Sequence, residues 1–366
     1  VNQETIRVGI IGCGRISGHH CRSIVATEGA ELIAVCDLDI AKANAYSNAF
    51  GVQAFSNYHE MLQKNPQINS VAVITPSGMH FEHVLDIINR YGKHIIVEKP
   101  TFMKPGQLVE AYRAAGQRGV KVFPVFQNRH NKAVQRVVAG LRGGELGKLR
   151  TAAVRVRWCR PQRYYDLAPW RGTYAMDGGC LTNQGIHHID LLRQLGGEVS
   201  RVCASFRTLG AEIEVEDTAT AVMEFASGAV GCLEVTTAAR PDDFEASLSL
   251  VCEKGLAQIG GIAVNELQTY TPDPGACAEN SEDFSGNVYG NGHAKIYAEL
   301  AAIFGSGQAY SVAYADALAS IQLLNAFYVS DERGSWVSVP EAGDSVRLGR
   351  ADESLANLYR TPYSRF

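Results

Sequence analysis

The sequence predicts two folded units: an α/β domain with a doubly wound parallel sheet, then an α+β domain with a large, open, mainly antiparallel sheet. Three observations predict it. A short apolar run over 6–11 ends in a glycine turn, VGIIGCGRISG (8–18). Strand-like and helix-like periods then alternate through the first third of the chain. Beyond about Val125 the period falls to two, apolar against polar, as in half-buried strands paired antiparallel.

Gly12 and Gly14 follow the first strand directly, so the chain leaves a buried strand, turns sharply and starts a helix. Gly12 permits backbone angles that a side chain forbids, and Gly14 leaves room for a pyrophosphate lying on the helix N-terminus. Ser17 fills the third small position of this dinucleotide pattern, which loosens helix–strand packing slightly. The second strand, 31–36, ends in Asp37, whose carboxylate can accept from adenosine ribose hydroxyls. NAD is favoured over NADP, because a 2′-phosphate would meet the charge of Asp37 with no Arg or Lys before Lys42. An ordinary glycine turn and a helix-capping Asp are the alternatives.

The next elements are an Ala-rich helix over 40–50, a short strand near Gln53, a helix over 58–62 and a strand over 70–75. Thr75-Pro76-Ser77-Gly78 turns at the carboxyl edge of the sheet and starts a helix with Phe81, Val84 and Ile88 on one face and His80 in its first turn. The fifth strand, 94–97, runs into Glu98-Lys99-Pro100, and 121–126 is the sixth. In the second unit, strands are predicted at 148–160, 219–225, 232–236 and 247–252, with glycines at Gly228, Gly255 and Gly260, and helices at 184–195, 293–304 and 311–328. The expected division is 1–124 for the Rossmann domain, 125–340 for substrate binding and oligomerisation, and 341–366 as a flexible tail or an arm packed on another surface.

At 366 residues, 46% hydrophobic and a formal net charge of -4, the chain can build two real cores and gives nucleic acid no electrostatic footprint. No apolar segment reaches the roughly 20 residues that span a bilayer, and VNQETIRVG has neither the basic nor the apolar region of a signal peptide, so a soluble cytoplasmic protein is expected. Nine cysteines lie singly, without a CxxC pair; neither a disulfide nor a metal site is expected.

Two constellations carry chemistry. Pro100 holds Lys99 extended at a strand end, where a bound, positively charged nicotinamide would lower the lysine's pKa and suit it to orient or exchange a hydroxyl proton; a salt bridge with Glu98 is the alternative. On a helix starting near Thr182, Asn183, His187 and Asp190 share one face able to hold a substrate, whereas adjacent His187 and His188 cannot both enter one site. Arg160, Arg163, Tyr164, Tyr165 and Arg171 lie between or beside Trp158 and Trp170, a set suited to carboxylate and diphosphate with aromatic faces for sugar or base. Solvated surface arginines are the bland alternative for part of this set. Gln127, Asn128 and Arg129, just past the sixth strand, are placed to complete the pocket.

Together GCGRI, Asp37, TPSGMH, EKP and the GG…NQGIHHID stretch resemble the glucose-fructose oxidoreductase, inositol dehydrogenase and rhizopine-catabolism (Gfo/Idh/MocA) family over essentially 5–340. The segments QNRHN (127–131), WCRPQRYYDLAPWRGTYAMDGG (158–179), TNQGIHHIDLL (182–192), IEVEDTA (213–219) and NVYGNGH (287–293) are most similar to its UDP-N-acetylglucosaminuronate 3-dehydrogenases. The resemblance implies NAD-dependent oxidation of a UDP-sugar acid in surface-polysaccharide assembly, in a homodimer or homotetramer. An inositol or simple sugar dehydrogenase and a non-catalytic NAD-sensing regulator are the other readings. The family's lysine maps to Lys99 and its histidine to His187; many members have Asp where this chain has Asn183. Expected cofactor contacts are Gly12, Gly14, Arg15, Ile16, Asp37, Thr75, Ser77, His80, Glu98, Lys99 and Gln127. Expected substrate contacts are Lys99, Asn128, Arg129, Arg160, Tyr164, Tyr165, Arg171, Asn183, Gln184 and His187, with His187, aided by Lys99, taking the hydroxyl proton.

Overall fold

The first sheet is six parallel strands in the order β3-β2-β1-β4-β5-β6. In the computed structural model, which describes residues 5–284, 289–306 and 308–363, it is built from β1 (Ile6–Ile11), α1 (Ser17–Val25), β2 (Ala30–Cys36), α2 (Ile40–Phe50), β3 (Gln53–Phe55), α3 (Tyr58–Lys64), β4 (Ser70–Val73), α4 (His80–Tyr91), β5 (His94–Val97), α5 (Pro105–Arg118) and β6 (Val122–Pro124). β4 and β1 are buried along almost their whole length, as strands covered on both faces must be. Caps set several boundaries: Asp39 accepts from the Ala41 N–H to begin α2, and Asn57 accepts from His59 and Glu60 to begin α3.

The chain continues through α6 (Lys132–Arg142), β7 (Leu149–Arg157), α7 (Gln162–Tyr165), α8 (Cys180–Asn183), α9 (Ile186–Gly196), β8 (Val199–Arg207), β9 (Thr218–Phe225), β10 (Val230–Thr236), β11 (Glu245–Cys252), β12 (Leu256–Gly260), β13 (Glu266–Tyr270), α10 (Ala276–Glu279), α11 (Gly292–Ser306), α12 (Tyr314–Arg333), β14 (Val337–Ser338) and α13 (Glu353–Asn357). Eight of these strands form the second sheet, ordered β13-β12-β11-β7-β10-β9-β8-β14. It is mixed rather than purely antiparallel: β7 and β10 run parallel at its centre, and the remaining pairs are antiparallel.

Two helices from the second half tie the sheets together. Ile296, Tyr297, Leu300 and Ile303 of α11 bury against Ile6, Val8, Ile10 and Phe123 of the first sheet. α12 packs on β8 and reaches α5. The stretch after Pro340 folds back as an arm on its own chain. Leu348 is fully buried, Arg347 pairs with Asp331 and Glu332, Ala356 packs with Met79, Ala175 and Met176, and Arg360 pairs with Glu82. Positions 287–288 of the NVYGNGH segment and 364–366 of the arm lie outside the described residues.

Candidate active site

The order of the first sheet reverses between β1 and β4, and in such sheets the crevice beyond the carboxyl ends of the strands at that point takes the ligand. Gly12 turns there with φ +94°, and a Cβ on it would lie 2.4 Å from the Ile74 carbonyl oxygen. No described atom lies within 4 Å of where a Gly14 Cβ would stand, which leaves the loop open. Ser17 is fully buried and donates to the Gly12 carbonyl at 2.6 Å, so the residue expected to loosen this packing ties the loop to the helix instead. The Asp37 carboxylate accepts from the Cys13 N–H (2.8 Å) and the Asp39 N–H (2.9 Å), and both oxygens retain lone pairs for hydroxyl donors. An open glycine loop before a helix N-terminus, with a braced carboxylate beside it, fits a pyrophosphate and an adenosine ribose. Arg15 is exposed and Ile16 half-buried at the start of α1, while Thr75 and Ser77 follow β4 across the crevice.

Two expected cofactor side chains turn inward instead. His80 is buried with its ring nitrogens 2.9 Å from the Pro100 carbonyl oxygen and 3.0 Å from that of Thr75, so it ties two edge loops together. Glu98 is buried too: its Oε1 accepts from His20 Nε2 (2.9 Å), with His293 Nε2 at 3.4 Å, and its Oε2 accepts from the Lys99 N–H (3.0 Å). Burial alone would raise this carboxyl, but the two histidines outweigh it and hold it well below the usual range. Among the described residues, His20, Glu98 and His293 form the one cluster tight enough for a metal ion. Tyr297 Oη lies 2.8 Å from His20 Nδ1, so with Nε2 donating to Glu98 neither ring nitrogen of His20 keeps a lone pair for an ion. The cluster braces the backbone of Lys99. Sequence reasoning gives His20, His293 and Tyr297 no role, although His293 closes the NVYGNGH segment.

Lys99 projects from this brace toward the second unit, and its peptide to Pro100 is cis. Its Nζ donates to the Asn183 carbonyl at 2.7 Å and to Asn183 Oδ1 at 3.0 Å. The predicted helix is broken here: α8 stops at Asn183 and α9 starts at Ile186, with Gln184 and Gly185 between. His187, in the first turn of α9, is buried against Phe126 at 6.2 Å between ring centroids, and among the described residues neither of its nitrogens has a hydrogen-bond partner. Burial, then the charge of Lys99, holds its pKa well below the ordinary value, so the ring is a neutral imidazole with a free lone pair. His188 points the other way, edge-on to Trp158. Asp190 also turns from the site.

Arg129 is corrected for the same reason. It is 3% exposed and gives two N–H bonds to Asp190 (2.7 and 2.6 Å) and one to Asp316 (3.2 Å), so it is spent on an internal ion pair that turns it away from the site. Tyr165 is buried with its hydroxyl 3.0 Å from Thr237 Oγ1, so it too is structural. Arg160 and Arg171 do come close enough to Lys99 for their charges to act on it. Arg171 lies 4.4 Å over the Tyr164 ring and 4.5 Å over Trp170, and its buried Nε has no partner among the described residues. Arg160 stacks on Trp158 at 5.3 Å while bonding Asp243 at 2.8 Å. Gln184 Nε2 reaches the Tyr164 hydroxyl at 3.4 Å. Gln127 is buried, its Oε1 without a partner among the described residues, and Asn128 beside it is half-buried. Arg163 is exposed.

The family models settle the lineage. Residues 6–126 match the oxidoreductase family, NAD-binding Rossmann fold, and 134–258 match the Gfo/Idh/MocA C-terminal domain. The chain belongs to the Gfo/Idh/MocA oxidoreductase family. The WlbA dehydrogenase of Bordetella pertussis, solved in complex with NADH and UDP-GlcNAcA, superposes with a TM-score of 0.86 at 33% identity, covering 92% of this chain and 99% of that one. An uncharacterized oxidoreductase of Synechocystis, sll0816, is 29% identical over 57% of this chain and 56% of its own length, so the chain spans about half of that curated relative. The myo-inositol 2-dehydrogenase of Thermotoga maritima is 27% identical over 63% of this chain and 68% of its own. NAD is the family's cofactor. Among the described residues no helix is long and apolar enough to cross a membrane.

Proposed function

We propose that this protein is an NAD-dependent dehydrogenase that oxidises the C3 hydroxyl of UDP-N-acetylglucosaminuronate to the 3-keto sugar, a step toward surface polysaccharide such as lipopolysaccharide. The observation that carries it is the Arg171 guanidinium, held over the faces of Tyr164 and Trp170, its buried Nε without a partner among the described residues, and close enough to Lys99 for the two charges to act on each other. A cation so placed selects an anionic sugar over a neutral one. Tyr164, Trp170 and Arg160 offer faces and charge to the rest of the ligand, and Asn128, Gln184 and Asn183 offer amides. On the cofactor side Gly12, Gly14, Arg15 and Ile16 take the pyrophosphate, Asp37 the adenosine ribose, and Thr75, Ser77, Lys99 and Gln127 the nicotinamide end.

NAD, when bound, accepts the hydride from the sugar carbon. The protein handles the proton and the charge. His187, neutral and bonded by no described residue, takes the hydroxyl proton on a ring nitrogen, and the Lys99 ammonium donates to the same oxygen, offsetting negative charge as the O–H bond breaks. The hydrogen bonds from Lys99 to Asn183 fix where that ammonium points.

The test is NAD reduction with UDP-N-acetylglucosaminuronate. Lys99→Met and His187→Asn should each lower kcat by on the order of 100-fold with NADH binding retained. Arg171→Ala should raise KM for the uronate by roughly 10- to 150-fold, the worth of a hydrogen bond to a charged group, and matter little for an uncharged sugar. Equal turnover of UDP-N-acetylglucosamine would remove the uronate from the reading. Reduction with myo-inositol alone would move it to the polyol side, and NAD binding without reduction by any sugar would leave a regulator.

A further inference from the structure

Asp177 lies on the loop that leads into α8, is 1% exposed, and has no place in the chemistry assigned so far. Its Oδ2 accepts from the Gly172 N–H at 2.8 Å, and its Oδ1 accepts from the Asn183 amide Nδ2. The other end of that amide, Oδ1, accepts from Lys99 Nζ at 3.0 Å. Only one orientation of an amide serves both neighbours: the NH2 toward the carboxylate, the carbonyl toward the ammonium. An ionised Asp177 therefore sets the amide, and the amide sets the lysine. With two of its three N–H bonds spent on Asn183, the Lys99 ammonium keeps one for a substrate oxygen. The loop is closely packed on its far side. A Cβ on Gly179 would lie 1.9 Å from the Glu216 carboxyl carbon, and Glu216 is itself bonded by Tyr328 Oη at 2.7 Å.

We propose that Asp177 is a positioning residue: through the Asn183 amide its carboxylate keeps the Lys99 ammonium charged and aimed at the reacting hydroxyl. The proposal rests on the dehydrogenase reading above, though not on which sugar is oxidised. A carboxylate near the catalytic lysine is thus supplied from 177, one amide away from position 183. The charged and titratable groups facing Asp177 are Arg171, Lys99, Tyr164 and Tyr165; those facing Lys99 are Glu98, Asp177, Arg171, Arg160 and His187. Burial pushes Asp177 up to about 6, with Gly172, Arg171, Asn183 and Lys99 holding it from going higher. Burial pushes Lys99 down, and Glu98 and then Asp177 pull it back. Two limbs follow for kcat/KM. On the acid side Asp177 protonates, its hold on the amide fails, and the rate falls below about pH 6. On the alkaline side Lys99 loses its proton.

The experiment compares the wild type, Asp177→Asn and the relocated carboxylate Asp177→Asn/Asn183→Asp. Asp177→Asn keeps an acceptor for the Gly172 N–H, so the loop keeps its bond while the charge is lost. Two measurements are made on each protein: the pH profile of kcat/KM with whichever sugar the wild type oxidises, and the titration of Lys99 by competitive acetylation read by mass spectrometry with NADH bound. In Asp177→Asn the Lys99 midpoint and the alkaline limb should fall together by about one pH unit, with kcat down roughly 10-fold. In the relocated variant both should return to wild-type values or above. An unmoved midpoint in Asp177→Asn, or activity lost with no recovery on relocation, would overturn the proposal and leave Asp177 a loop brace. The labelling needs no substrate, so a wild type that oxidises no sugar would sink the dehydrogenase reading while the lysine midpoint still decides the coupling.

Discussion

Asp37→Ala separates the cofactor reading from a bland turn. In the structure the carboxylate already accepts from the Cys13 and Asp39 N–H groups, so its remaining lone pairs face the crevice with fixed direction. Hydrogen bonds from ribose hydroxyls to a charged acceptor are worth about 1.5–3 kcal/mol, or roughly a 10- to 150-fold loss in NADH affinity. The same change removes the charge that repels a 2′-phosphate, so the preference against NADPH should shrink along with it. Because Cys13 N–H also loses its acceptor, the melting temperature of the unliganded variant must be followed to separate loop damage from lost ribose contacts. Fluorescence titration with NADH and NADPH gives both affinities. A loss of less than about threefold in a normally folded variant, or equal NADH and NADPH affinity in the wild type, would refute the reasoning.

Two further outcomes follow from the second sheet and its surroundings. The outer face carries Cys203, Val222, Cys232 and Ala153 in one cross-strand row, and Val222 and Val230 are 47% and 52% exposed, so a second copy should cover it in a dimer or tetramer. Val222→Glu should split that assembly in light scattering, and a wild type already monomeric at micromolar concentration would remove it. Glu216 is 2% exposed and burial raises its pKa from 4.5 to about 7, so the folded state holds its proton more tightly than the unfolded chain. The stability this gives is fully present below pH 4.5 and lost as pH rises to about 7, a change of about 3 kcal/mol. Glu216→Gln should therefore melt higher relative to wild type at pH 8 than at pH 5; an offset independent of pH would show that Glu216 titrates normally.

The first sheet was legible because each strand announces itself locally. Ile6–Ile11 and Ser70–Val73 are apolar runs bounded by glycine or proline turns, and their register follows from being buried on both sides. The second sheet was legible in class only. Val199–Arg207 interrupts its apolar pattern with Arg201, Cys203 and Ser205 on the outer face, and Leu256–Gly260 is too short for a period. The parallel pairing of β7 with β10 depends on the path of the chain between them, which no local pattern encodes. In the site, residue type predicted charge and reach but not direction. Arg129 and Arg171 are equally cationic in the sequence, yet Asp190 and Asp316, 61 and 187 positions away, claim the first and nothing described claims the Nε of the second. His80 and His187 differ in the same way: two backbone carbonyls absorb the first, and no described residue bonds the second.

The lysine at the centre of the site is held at both ends, and that is what the buried acids accomplish together. Glu98 Oε2 fixes the backbone N–H of Lys99 at 3.0 Å, and His20 and His293 keep that carboxylate ionised in a dry setting where burial alone would neutralise it. Asn183 fixes the other end at Nζ, and the carboxylate behind that amide is Asp177. A free lysine side chain carries about 2 kcal/mol of rotamer entropy, which is lost whenever its ammonium is fixed in one place. Here that cost is met during folding, by the break between α8 and α9 that turns the Asn183 carbonyl toward the ammonium. The break follows from sequence: Gly185 sits where a Cβ would lie 2.8 Å from the Leu181 carbonyl oxygen, so only glycine lets the chain pass from one helix to the next at that angle. The glycine and asparagine of NQG thus do as much to place the Lys99 ammonium as the lysine does itself.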